Sequence, residues 1–182
     1  GVGEEKLPLF VSQVEAAIGY AFDDKYLLLQ ALTPKAVGKR NYERLEFLGD
    51  AVLEALTSRY LYNAHEHDDV GALCDKRVAL VDHTGLSRAA VKLRLHTALL
   101  HGPWALASPL AARKLVGWLA AHYPEEAQPY ASDDTRMGYE DDDSHEEAAP
   151  KELSDVVEGV IGAVMVEKGL EAACRIGWRI IQ

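Results

Sequence analysis

The segment Asn41-Tyr-Glu-Arg-Leu-Glu-Phe-Leu-Gly-Asp-Ala-Val-Leu53 decides the fold of this chain. Apolar residues recur along it, and just beyond it, at Leu45, Leu48, Val52 and Leu56. Residues at this spacing lie on one face of an α-helix. The segment therefore predicts a long helix, over residues 43–61, that packs this face against a hydrophobic core.

The same segment places a row of acidic residues on another face of the helix, at Glu43, Glu46, Asp50 and Glu54. Like charges one turn apart cost a helix a few tenths of a kcal/mol, so the helix gains nothing from them. A solvated acidic face is one interpretation. The alternative is a cation site, because apolar neighbours such as Phe47 and Leu48 flank the row, and acids held beside apolar surface need a cation.

A second segment, Leu153–Val166, is apolar almost all round, which predicts a buried helix. Its main charged residues, Asp155 and Glu158, are spaced to share one face of that helix. Buried carboxylates are costly unless they are paired with a base or bound to a metal. An ion pair with Arg44 or Arg77 is therefore one interpretation, and a metal site is the other.

If the two helices pack together, four carboxylates converge: Glu46, Asp50, Asp155 and Glu158. The small residues Gly159 and Gly162 would permit such a close approach of another backbone. An all-oxygen ligand set suits Mg²⁺ or Mn²⁺ rather than Zn²⁺. Such a site favours phosphodiester hydrolysis, in which metal-activated water attacks phosphorus and the metal stabilises the departing 3′ oxygen.

Helical periodicity dominates the rest of the chain and strand alternation is nearly absent, which predicts a single all-α domain over residues 1–182. Gly169 is expected to end the last predicted helix. The predicted helices cover residues 11–18, 26–31, 43–61, 73–80, 84–93, 109–122 and 153–168.

The net charge of −10 first argues against a nucleic-acid partner. Most of it, however, comes from residues 124–149, which contain ten acidic residues and one basic residue. A dense run of like charge cannot bury a core, so this segment is expected to be a disordered insertion before the last helices. The remaining residues are close to neutral, and the low isoelectric point does not exclude a polyanionic partner.

No apolar run approaches the length of about 18 residues that a membrane span requires, so no membrane partner is expected. Cys74 and Cys174 form neither a metal motif nor a disulfide framework. These features favour an intracellular protein that is not secreted, with the compartment undetermined.

The segment at residues 41–53 resembles the signature helix of the ribonuclease III family, and three further segments resemble that family in the same order. These segments are residues 18–33, 77–93 and 153–169. The resemblance implies a multi-helix endonuclease domain that cleaves double-stranded RNA with Mg²⁺, for which Mn²⁺ can substitute. It also implies that two such domains pair, as a homodimer or with another ribonuclease III domain, and leave short 3′ overhangs.

Carried over residue by residue, the resemblance implies that Glu46, Asp50, Asp155 and Glu158 are the catalytic, metal-binding carboxylates. It also implies a further acid of the metal site, a dimer contact and a basic position near the substrate, at Glu43, Phe47 and Arg77 respectively. Lys76 and Lys92 are further candidates for RNA phosphate contacts. Any one of these basic residues is equally compatible with a solvated helix face.

Two differences from the general family pattern indicate which branch of the family the chain resembles. Val70 stands where bacterial members carry an additional acid, and a long acidic insertion precedes the second acidic helix. Both features resemble the second ribonuclease III domain of Dicer-type enzymes, with organellar RNA-processing members as the alternative. The chain shows no double-stranded-RNA-binding domain. A non-catalytic module for dimerisation or RNA binding on the same fold is the rival interpretation.

Overall fold

A computed structural model describes residues 9–100, 109–130 and 148–182, and within these ranges the chain forms helices and no strand. The predicted all-α fold class is confirmed. The α-helices are α1 (Leu9–Ile18), α2 (Lys25–Ala31), α3 (Glu43–Ala64), α4 (Val70–Val81), α5 (His83–Lys92), α6 (Leu95–Leu100), α7 (Pro109–His122), α8 (Pro124–Ala127) and α9 (Lys151–Ile181). Short 3₁₀ turns follow α2 and α8, at Lys35–Val37 and Gln128–Tyr130.

Helices α3 and α9 form the centre of the fold, and they cross where each has a glycine facing the other. A side chain at Gly49 would overlap the carbonyl group of Glu158, and a side chain at Gly162 would overlap the carbonyl group of Leu45. The two backbones are therefore in direct contact, as the small residues of the second segment predict. This contact fixes the acidic residues of one helix relative to those of the other.

Helix α9 is buried along most of its first half, in agreement with its apolar sequence. Helices α2, α3, α5 and α6 all pack against it. The side chains of Val156, Val157, Val160, Ile161 and Val164 are fully buried. Burial of this kind stabilises each such side chain by about 1.5–3 kcal/mol, which explains why two acidic residues can be held on the same helix.

The first half of α9 ends at Gly169, where the backbone adopts a φ of +82°. This left-handed conformation favours glycine, and it matches the predicted end of the helix. A second helical segment follows directly and continues to Ile181. That segment and the short helix α6 were not predicted, because neither presents a long enough periodic pattern.

The prediction of a disordered insertion over residues 124–149 is wrong at its start. Pro124–Ala127 is helical, Ala127 is buried, and Glu126 lies 3.4 Å from the buried side chain of His96. Proline at the first helical position and a buried contact order these residues despite their charge. Residues 131–147 of the predicted insertion lie outside the described ranges.

None of the helices in the described ranges is both long and apolar enough to cross a membrane.

Candidate metal centre

Three carboxylates meet beside the crossing of α3 and α9. Glu46 lies on α3, and Asp155 and Glu158 lie one turn apart on α9. One oxygen atom from each carboxylate lies within 4.8 Å of the others. Among the described residues, this is the one group of histidine, cysteine and acidic side chains with spacing suitable for a metal ion.

The three carboxylates differ in their surroundings. Asp155 is only 6% exposed, whereas Glu46 and Glu158 are partly exposed at the edge of a cavity of about 610 Å³. The buried hydroxyl group of Tyr42 donates a hydrogen bond of 3.3 Å to Asp155 Oδ2. Burial and the neighbouring Asp155 raise the pKa of Tyr42, so this phenol stays a hydrogen-bond donor.

A lysine supplies the cation that the acidic residues require. Lys151 Nζ lies 2.6 Å from Asp155 Oδ1 and 3.1 Å from Glu46 Oε1. Burial alone would lower the pKa of Lys151, but its hydrogen bonds to the two carboxylates and their charges outweigh burial and raise it. Lys151 therefore places a positive charge between two of the three carboxylates.

The interpretation in which Arg44 or Arg77 pairs with Asp155 or Glu158 is wrong for the described residues, and Lys151 was not among the predicted partners. Arg77 donates a hydrogen bond of 3.1 Å to Ser58 Oγ, and Arg44 is exposed. The available signal was the spacing: a residue four places before Asp155 on a helix lies one turn away on the same face.

No basic side chain among the described residues forms an ion pair with Glu158, although the charge of Lys151 acts to lower its pKa. Burial is the largest cause that raises the pKa of Glu158 to about 8, and repulsion from Asp50, Asp155 and Glu46 adds to it. The neighbouring acids destabilise the ionised form of Glu158. A divalent cation would favour that ionised form, because its charge offsets the repulsion. The donor set consists of oxygen atoms alone, which fits a hard divalent cation such as Mg²⁺ or Mn²⁺.

Asp50 and Glu43 lie outside the group of three. Asp50 is exposed on α3, yet it is close enough to contribute to the raised pKa of Glu158. Burial, followed by the charges of Glu54 and Glu46, raises the pKa of Asp50 as well. Glu43 pairs with Lys35 at 2.5 Å, and this hydrogen bond lowers the pKa of Glu43.

The predicted RNA-binding residues lie on other helices. Lys76 on α4 is 2.5 Å from Asp68 and 2.9 Å from His65, so its charge is already paired within the chain. Arg77 is partly buried beside Ser58, and Lys92 is exposed at the end of α5. Their contact with RNA remains a prediction.

Helices α3 and α4 pack together, and within the described residues each has a row of exposed apolar side chains; we call the two rows together the α3–α4 face. The side chain of Phe47 is 79% exposed, although it follows Glu46 directly in sequence. The face consists of two rows with a spacing of one turn, Phe47, Ala51 and Ala55 on α3 and Val70, Cys74 and Val78 on α4. Exposed apolar patches of this kind mark interaction sites.

Comparison with known proteins agrees with this geometry. The model of the "Ribonuclease III domain" family matches residues 43–169, a range that contains all three carboxylates. Endoribonuclease Dicer homolog 1 from Arabidopsis thaliana is 33% identical over 172 residues, which cover 93% of this chain and 8% of that protein. Ribonuclease 3 from Campylobacter jejuni is 31% identical over 173 residues, which cover 94% of this chain and 61% of that protein.

A solved structure is similar as well. The nuclease domain of ribonuclease III from Campylobacter jejuni superimposes with a TM-score of 0.65 at 31% identity. The superposition covers 94% of this chain and 95% of the solved chain. That structure is described for structural flexibility in a region involved in dimer formation. The chain thus corresponds to a nuclease domain and spans only a small part of the Dicer relatives.

Proposed function

Because the chain belongs to the ribonuclease III family, we propose that it cleaves double-stranded RNA at the centre formed by Glu46, Asp155 and Glu158. The observation that carries this proposal is the convergence of three carboxylates from α3 and α9, one of them with a pKa raised to about 8. A carboxylate whose ionised form is disfavoured by burial and by neighbouring acids is more typical of a functional site than of a purely structural contact.

The three carboxylates would hold a divalent cation, with Mg²⁺ the natural choice and Mn²⁺ a substitute. A bound cation supplies the chemistry of phosphodiester hydrolysis, because it polarises a phosphate and lowers the pKa of water. Asp155 is oriented by Tyr42 and Lys151, so its position is fixed before a cation arrives. Asp50, at the exposed edge of the centre, would accept hydrogen bonds from water around the cation.

Lys151 gives the centre a second function. Its ammonium group sits among the carboxylates at the edge of the cavity, and its side chain is 70% exposed. A long lysine side chain with this freedom can turn from the carboxylates towards an RNA phosphate when a cation takes its place. It would then position the scissile strand at the centre.

The proposed enzyme works as a pair of domains that meet through the α3–α4 face. Phe47 is placed to enter a partner domain, and the small residues Ala51 and Ala55 let the partner's surface approach closely. A two-fold pair repeats the acidic centre on the other side of the interface. Two centres on one rigid pair would cut opposite strands of a duplex and leave a short 3′ overhang.

Duplex RNA suits such a rigid pair, because its base edges lie in a deep narrow groove and proteins recognise its shape, phosphates and 2′-hydroxyl groups. Lys76, Arg77 and Lys92 are the proposed phosphate contacts. The segment that leads into α3 adds exposed positive charge at Lys39 and Arg40. Because the proposed contacts are with phosphates, affinity for RNA is expected to fall as salt concentration rises.

The test is cleavage of an end-labelled RNA duplex at low salt, with Mg²⁺ or with EDTA. The proposal expects defined products with a 3′ overhang from the wild-type chain, and none after chelation or in Asp155→Ala. A matched control is Asp23→Ala, because Asp23 pairs with Lys168 on the surface away from the centre. A folded wild-type chain that binds the duplex without cutting it would favour the non-catalytic module instead.

A further inference from the structure

One histidine joins α5 to the start of α9. His83 is the first residue of α5, and both nitrogen atoms of its ring contact the segment that begins α9. Nδ1 lies 2.8 Å from Ser154 Oγ, and Nε2 lies 2.5 Å from the carbonyl oxygen of Ala149. A carbonyl oxygen can only accept a hydrogen bond, so His83 carries a hydrogen atom on Nε2.

The start of α9 has no side-chain cap of its own. Its N-cap is Pro150, which provides no side-chain hydrogen bond to the first turn. The hydroxyl group of Ser154 donates to the carbonyl oxygen of Lys151 at 2.9 Å, which closes that turn on itself. His83 contacts the chain on both sides of Lys151 and therefore braces this turn against α5.

This turn carries two of the groups that form the acidic centre. Lys151 pairs with Asp155 and Glu46, and Asp155 directly follows Ser154 in sequence. His83 also lines the same cavity of about 610 Å³ as the three carboxylates. A movement at Ser154 would thus displace Asp155 relative to Glu46, which lies on a different helix.

We propose that His83 is a positioning residue, which fixes the first turn of α9 so that Asp155 meets Glu46 in the geometry that a divalent cation needs. This inference rests on the proposed cation site. His83 does not transfer protons to the substrate, because Ser154 and Ala149 occupy both of its nitrogen atoms. Groups that orient metal ligands in this way are worth about 10–100-fold in metal affinity or activity.

Three substitutions separate the two hydrogen bonds. His83→Asn places an amide where Nδ1 lies and retains the contact with Ser154, whereas His83→Gln places one near Nε2 and retains the contact with Ala149. His83→Ala removes both. The readouts are the Mg²⁺ concentration at half-maximal cleavage and, independently of activity, Mn²⁺ binding followed by electron paramagnetic resonance.

We expect His83→Ala to raise the Mg²⁺ concentration at half-maximal cleavage and the Kd for Mn²⁺ at least about tenfold each, with KM for RNA unchanged. Each amide variant should give values between those of His83→Ala and those of the wild type. His67→Ala is the matched control, because His67 is exposed in the turn between α3 and α4 and should behave as the wild type. If His83→Ala does not fold, the two amide variants carry the test.

Unchanged Mn²⁺ affinity in folded variants, even with a lower melting temperature, would overturn the inference and leave His83 a structural residue only. A failure of the proposed function looks different, because the wild-type chain itself would then neither bind Mn²⁺ nor cleave RNA. Ser154→Ala provides a second check. Combined with His83→Ala, it should add little to the loss of Mn²⁺ affinity, since both variants remove the contact between His83 and Ser154.

Discussion

Two glutamates in the first half of α9 are held against other parts of the chain in opposite ways. Glu167, near Gly169, accepts hydrogen bonds from the hydroxyl group of Tyr20 at 2.5 Å and from the backbone amide of Asp24 at 2.8 Å. Burial alone would raise the pKa of Glu167, but these hydrogen bonds outweigh it and lower the pKa.

Glu158, two and a half turns earlier on the same helix, is surrounded by carboxylates, and its pKa is raised to about 8. The ionised form of glutamate is therefore stabilised at position 167 and destabilised at position 158. Donors around Glu167 indicate a structural contact that ties α9 to the turn before α2. Acids around Glu158 support the proposed cation site, because a bound cation would offset their repulsion.

The sharpest way to break this comparison is to make the same change at both glutamates. Glu158→Gln should lower cleavage at least about a thousandfold, because a metal ion contributes several kcal/mol to the transition state and about 1.4 kcal/mol is tenfold. Glu167→Gln should leave cleavage close to the wild type and lower the free energy of unfolding by about 1–3 kcal/mol. Single-turnover kinetics and urea denaturation measure the two effects, and the reverse pattern would contradict the comparison.

Exposed apolar residues extend the comparison to the surface. Phe47, next to Glu46, is expected to lie in a domain interface, whereas Val166, next to Glu167, is expected to face solvent. Phe47→Asp should therefore weaken dimerisation about 30-fold or more, the effect of losing about 2 kcal/mol at an aromatic anchor. Val166→Asp is the control and should leave the sedimentation profile unchanged. Unaltered sedimentation of Phe47→Asp would remove the α3–α4 face from the proposed pairing.

A lysine accompanies each glutamate, and their removal should differ in effect. Lys151→Ala leaves the buried Asp155 without its cation and should destabilise the metal-free fold by about 1–3 kcal/mol, less than for a fully buried pair because Lys151 is largely exposed. Lys168 pairs with the exposed Asp23, so Lys168→Ala should have little effect on stability. Denaturation with and without Mg²⁺ checks both predictions, and Mg²⁺ should reduce the stability difference from the wild type in Lys151→Ala but not in Lys168→Ala.

The raised pKa of Glu158 predicts how stability depends on pH. In the metal-free chain the folded state keeps this proton up to about pH 8, whereas the unfolded state releases it near 4.5. The folded state therefore binds more protons in this window, and its stability should fall as pH rises from about 4.5 to 8. Thermal melts with EDTA should show this slope in the wild type and a smaller slope in Glu158→Gln. An equal slope in both would assign it to other groups.

The sequence was sufficient to predict that Glu46, Asp155 and Glu158 approach one another, although it also placed Asp50 among them. Asp155 and Glu158 stood out because they interrupt an apolar helix, and Glu46 because it belongs to an acidic row beside apolar residues. Small residues in the second segment predicted that another backbone approaches closely, as it does at the crossing of α3 and α9. The positions of the long helices followed from the same periodicity.

The parts that sequence could not supply depend on contacts between distant segments. Lys151 is one charged residue among many, and its role appears only when α3 brings Glu46 beside it. His83 lies directly before the predicted helix over residues 84–93 and belongs to no recognisable motif. Its two partners lie 66 and 71 residues away along the chain. Glu126 was assigned to disorder from composition, which carries no information on a buried neighbour such as His96.

Mn²⁺ binding to the isolated chain, followed by electron paramagnetic resonance, tests the central claim most directly. The account predicts saturable binding that Mg²⁺ displaces, that Asp155→Asn abolishes and that Glu167→Gln leaves intact. Binding that persists unchanged in Asp155→Asn, or a folded wild-type chain with no saturable binding at pH 8, would contradict the assignment of Glu46, Asp155 and Glu158 as a divalent-cation site.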